Sequence, residues 1–286
     1  MIDSNGNKIT EAESAVDIEF KLDELNFLTK GFWLNPTPEK AMSIAEEIKQ
    51  ISDGYQDLSL ELIEKISAIE KELERYVPDS EDESFVWELV YVLRNLARKT
   101  KGDKGFSDEA AAIIHRSALL FDKICEIVPS VHNYICRVGE YRLESSYCTK
   151  YSKTKEVLDI AEELFEQIEP NKEPVYLRNA GVLYVALYEY YKGVRNNMCA
   201  FVAVKEAVGY VYELNKTKPS YENLNRLIIY YLPYAKQDDY VYADEAERLD
   251  EIIGLTQAWC SETGDTNAKE QLEKLEALRS DLKNKN

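Results

Sequence analysis

The chain has 286 residues and a net charge of −18, from 53 Asp and Glu against 35 Lys and Arg. Such an excess of acid repels a phosphate backbone, which removes nucleic acid from the expected partners, and no apolar run approaches the ~18 residues of a membrane helix. With 45% hydrophobic and 31% charged residues, the composition is that of a folded, soluble chain that does not engage a membrane.

Met1 to Thr10 is polar and has no basic segment leading into an apolar core, so no secretory signal is expected there. Five cysteines, odd in number and widely spaced, lie mostly within helical apolar patterns. They are expected as buried free thiols, which points to a reducing compartment and hence the cytoplasm.

Only 11 Gly and 8 Pro occur, nearly all between apolar-periodic stretches, and no alternating strand pattern persists. The expected class is therefore all-α, in a single domain spanning residues 1–286. Residues 10–78 form an N-terminal trio. Thr10 and Glu13 offer a capping box before Val16, Phe20, Leu25 and Leu28. Pro38 opens a second helix that Gly54 ends. Asp57 caps a third, with Leu58, Leu62, Ile66, Ile69 and Leu73 on one face. The acidic stretch Asp79 to Glu83 reads as a solvated connector.

Four helix pairs are expected over residues 85–260: Phe85 to Lys99 with a Ser107-capped helix to Ile127, Val131 to Cys148 with Lys155 to Ile168, Val175 to Val194 with Cys199 to Leu214, and Tyr221 to Ala235 with Ala243 to Cys260. A capping helix over 267–284 carries Leu272, Leu275 and Leu278 on one face and charge elsewhere. Pro129, Pro174 and Pro219 fall at a constant interval of 45 residues. In that register Val131, Tyr176 and Tyr221 coincide, as do Leu120, Phe165 and Tyr210. Equal spacing of helix pairs is the signature of a stacked array, in which no pair can bury its apolar face alone.

At Leu177, Ala180, Gly181 and Tyr184, followed by Ala207, Val211, Leu214 and Pro219, the third pair resembles the tetratricopeptide repeat, and Ala161, Phe165 and Ile168 echo the pattern one pair earlier. The units are longer than the family's 34 residues, and Leu177 and Ile135 stand where the family has Trp. The resemblance implies a right-handed α-solenoid of antiparallel helix pairs whose first helices line a concave groove. It also implies a non-enzymatic scaffold that holds a protein or peptide segment in that groove, without a cofactor.

The groove residues so implied are Arg178, with Asn133 and Asn225 where Gly139 and Ile228 take the place of Gly181. Arg137 lies one residue out of that register. These donors can hold a carboxylate through charge-assisted hydrogen bonds. Tyr184 and Tyr188, from a chain with 20 tyrosines, add contact area. No HExxH, phosphate-binding glycine loop or GxSxG turn is present, and neither His115 nor His132 has ligand partners at helical spacing. Two alternatives stand beside the scaffold: a small-molecule sensor or metal-dependent enzyme using Asp238, Asp239 and Asp244, and a module that self-associates through its Tyr-rich face.

Overall fold

The computed structural model describes residues 11–54, 59–101, 107–237 and 242–285. Among these the protein is all-helical, and it divides into two compact units, Met1–Val157 and Leu158–Asn286. The first holds α1 (Glu11–Phe32), α2 (Pro38–Gly54), α3 (Leu60–Glu74), a 3-10 turn (Val77–Asp79), α4 (Glu83–Thr100), α5 (Asp108–Ile127), α6 (Val131–Ser145) and the start of α7 (Tyr151–Glu166). The second holds the rest of α7, then α8 (Pro174–Gly193), α9 (Asn197–Thr217), α10 (Tyr221–Tyr234), α11 (Tyr242–Thr263) and α12 (Thr266–Lys285).

Local chemistry sets most of these boundaries. Ser59, Ser107, Ser130 and Ser220 cap α3, α5, α6 and α10, each hydroxyl accepting from the backbone N–H three residues on. Asp57 and Thr10, expected as caps, lie outside the described residues. The acidic stretch after α3 is more ordered than a connector: Pro78 sits in the 3-10 turn, and Asp82 accepts from the N–H groups of Ser84 and Phe85 to start α4. A carboxylate there satisfies two orphan donors and meets the positive end of the helix dipole.

In the first unit α1 packs on α2 and α3, α2 on α3 and α4, α3 on α4, α4 on α5, and α5 on α6. One apolar cluster joins Leu22 and Phe32 of α1 to Ile48 of α2, Leu73 of α3, Leu89 of α4 and Phe121 of α5. Burial of each such side chain contributes about 1.5–3 kcal/mol relative to exposure. In the second unit α8 packs on α9, α9 on α10, α10 on α11 and α12, and α11 on α12. Gly181 explains the close approach of α8 and α9: a Cβ there would lie 2.6 Å from Val211 Cγ2.

Candidate functional site

On α4, Trp87, Tyr91, Arg94 and Arg98 recur at spacings of three and four, so they share one face. Arg98 and 41% of Tyr91 are open to solvent, and Trp87 is half-buried. Side-chain bonds tie this helix to α2 on one side and α6 on the other. From α2, Lys49 pairs with Glu88 at 2.7 Å, and Ser52 Oγ accepts from Asn95 Nδ2 at 3.1 Å. From α6, the buried Glu140 receives the Arg94 guanidinium, with Nε at 2.7 Å, and the Ser117 hydroxyl of α5 at 2.6 Å. Glu83 Oε1 accepts from both Asn133 Nδ2 of α6 and Trp87 Nε1.

These ties place α2, α4 and α6 side by side and leave an aromatic strip between them. The Trp87 ring stands edge-on to Phe121 beneath it, at 4.8 Å, and lies 5.9 Å from Tyr91 and 6.5 Å from the exposed His132. Lys49 Nζ sits 4.9 Å from the Tyr91 ring centre and the Arg94 guanidinium 5.7 Å from it. Cations stacked on a ring in this way are attracted by its quadrupole. In a chain of net charge −18, this face brings Lys49 against Glu88 and Arg94 against Glu140, while the exposed Arg98 donates to Asn95 Oδ1.

Cys136 lies on the same strip with Sγ 3.7 Å from His132 Nε2, but burial pushes its thiol up to about 11, so it stays protonated and unreactive at neutral pH. Among the described residues no group of three or more His, Cys, Asp or Glu is placed to hold a metal ion. Asp238 and Asp239 lie outside the described residues, as does the side chain of Asp244.

The residues singled out from the sequence fall in different settings. Asn133 is interior: besides Glu83 it donates to Val128 O at 2.9 Å, and it fastens the start of α6 rather than facing a ligand. Arg137 pairs with Asp122 of α5. Tyr188 is 3% exposed, with Lys192 Nζ 5.4 Å from its ring centre, so it too is packing. Arg178 is exposed on α8, and Asn225 is half-buried on α10 with Oδ1 3.4 Å from Asn267 Nδ2 of α12.

Tyr184 belongs to a four-ring box in the second unit. It stacks on Tyr210 at 5.7 Å, and Phe165 stacks on Tyr176 at 5.2 Å, with edge contacts between the two pairs. Burial, followed by the nearby carboxylates of Glu162, Glu206 and Glu166, pushes the Tyr184 phenol up to about 12.

The strip on α4 and α6 falls on a helix expected from the sequence, Phe85 to Lys99, whose donors Arg94 and Asn95 reach α6 and α2. The missed signal was Trp87 and Tyr91, four residues apart on that same helix. A second missed signal explains Asn133. Pro129-Ser130 followed by Asn133 recurs as Pro219-Ser220 followed by Asn223, and in both the Asn amide reaches back to the carbonyl before the Pro, at Val128 and Lys218. Arg178 occupies the equivalent sequence position, but Pro174 is there the first residue of α8 and Arg178 points to solvent. Compared with protein families, curated proteins and solved structures, the chain matches none.

Proposed function

We propose that this protein is a non-enzymatic helical scaffold that binds a protein or peptide segment across α2, α4 and α6. One observation carries the reading: three helices held side by side by buried polar ties present Trp87, Tyr91 and His132 with Lys49, Arg94 and Arg98 around them. Rigid aromatic anchors supply most of the energy in such recognition, and flanking cations orient the partner. A segment bearing carboxylates suits the face better than a basic one, since Arg98 projects to solvent.

A tetratricopeptide-like array is the arrangement that fits this reading. In its support, polar ties join residues roughly one 45-residue unit apart: Glu70 to Arg116, Arg94 to Glu140, and Ser52 to Asn95. Bonds at that separation are what first-to-first and second-to-second helix neighbours make in a stack of pairs.

Selection of a random peptide library on the full chain, followed by calorimetry, tests the proposal. Enriched peptides are expected to carry Asp, Glu or a free C-terminal carboxylate and to bind in the micromolar range, about −8 kcal/mol. Trp87→Ala, Tyr91→Ala and Arg98→Glu should each weaken them about tenfold with helicity unchanged. Peptides that bind all three variants as well as the wild type would place recognition elsewhere.

A further inference from the structure

Two donors of soft-metal chemistry stand together on α6, outside the polar ties that hold the first unit. His132 and Cys136 are four residues apart, so they lie on the same side of the helix. His132 is exposed and Cys136 half-buried beside it, with Nε2 and Sγ 3.7 Å apart. Among the described residues neither atom has another hydrogen-bond partner. The Trp87 ring flanks the pair, 6.5 Å from the imidazole and tilted by 40° to it. The charges that act on the thiol are Arg94 and Glu140, which are paired with each other and so largely offset.

Metal ions such as zinc bind imidazole nitrogen at about 2.1 Å and thiolate sulfur at about 2.3 Å. Donors 3.7 Å apart can therefore hold one ion between them, at an angle of about 115°, without moving. Two protein donors do not complete the tetrahedral shell of structural zinc, and among the described residues no third His, Cys, Asp or Glu is placed to join them. Cu(I) is stable with two or three ligands, and thiolate is the donor that selects it. Charge makes the same choice. Burial keeps the proton on Cys136 because a bare thiolate is charged. A monovalent ion that replaces this proton leaves the half-buried position as neutral as before, whereas a divalent ion adds a charge to it.

We propose that His132 and Cys136 form a binding site for one Cu(I) ion, with the imidazole Nε2 and the thiolate Sγ as its two protein ligands. Binding forms the Cu–N and Cu–S bonds, breaks the S–H bond and releases that proton to solvent. The metal stays Cu(I), so nothing is oxidised or reduced. The proposal does not rest on the peptide-binding reading, and it is tested with no peptide present, so either can fail alone.

The full chain, kept oxygen-free with ascorbate, is titrated against the Cu(I) complex of bicinchoninate. One copper per chain should pass from the chelator to the protein, with one proton released. Cys136→Ser should weaken retention at least about a hundredfold and His132→Gln at least about tenfold, since loss of a mere supporting partner already costs about 10–100-fold. His132 is exposed, so its variant tests the ligand without disturbing the core. Cys199→Ser, which removes a partly exposed thiol on α9, should change nothing. X-ray absorption at the copper edge should show one sulfur donor and a nitrogen donor that His132→Gln removes. A chain that leaves all copper with the chelator overturns the proposal. So does copper held equally well by Cys136→Ser, or copper lost from Cys136→Ser but held as tightly by His132→Gln, which would be a contact with a single thiolate.

Discussion

The two units close their helix layers with opposite chemistry. In the first, carboxylates meet polar partners between helices: the buried Glu70 and the half-buried Glu74 of α3 with Arg116 of α5, the buried Glu140 of α6 with Arg94 of α4, and the buried Glu144 of α6 with the His115 ring of α5 at 3.0 Å. In the second, rings pack on one another: Phe165, Tyr176, Tyr184 and Tyr210, and further along Tyr231 with Tyr234. A ring packs with modest orientational preference. A buried ion pair requires its partner at one distance, and breaking it leaves a charge without compensation. The first unit is therefore specified more tightly, and it is also the more vulnerable to substitution and to pH.

Arg94→Ala should be the most damaging single change. It strips the principal partner from a Glu140 that is 1% exposed, and an uncompensated buried carboxylate costs about 3–5 kcal/mol. Urea unfolding followed by the fluorescence of Trp33 and Trp87, in a Trp259→Phe background, measures it in the first unit. No tyrosine of the second unit should match that loss when replaced by Phe.

Next comes pH. Burial raises the Glu70 carboxyl to about 7, outweighing the attraction of Arg116. A carboxyl raised in the folded state is one that the folded state prefers protonated. Its stabilisation is complete below the ordinary carboxylate range and is lost as pH rises through about 7. On the order of 3 kcal/mol should therefore leave the first unit between pH 5 and pH 8. Glu70→Gln should flatten that slope, and a slope that survives the substitution would assign it to another group.

The second unit has its own sensitive point. Gly181→Val should cost about 1–3 kcal/mol through overpacking against Val211, whose branched side chain has little freedom to yield. Smaller still are the two back-bonding amides. Asn133→Ala and Asn223→Ala should each cost about 1–2 kcal/mol, with Asn133 the larger because it also serves Glu83. Equal losses would mean that the tie to Glu83 contributes nothing.

Helix number, order and most boundaries could be read from apolar periodicity and from Ser and Pro at helix starts, because both act within a few residues. Gly181 could be read too, since only a minimal side chain permits that helix contact. The roles of polar residues could not be read in the same way. Asn133 and Arg178 are both polar and lie 45 residues apart, yet one caps a helix from inside and the other faces water. The difference is set by whether the preceding Pro stands before the cap or within the first turn. Tyr188 and Tyr91 likewise differ only in which neighbouring helix covers them, which no local pattern encodes.

The central claim is that the face of α2, α4 and α6 is where a partner sits. Photo-cross-linking tests it most directly, with a benzoylphenylalanine in place of Tyr91 and, as control, in place of Met198, which is 76% exposed on α9. With a selected peptide present, the residue at 91 should capture it and the residue at 198 should not. Capture at 198 alone, or equally at both, would contradict the account.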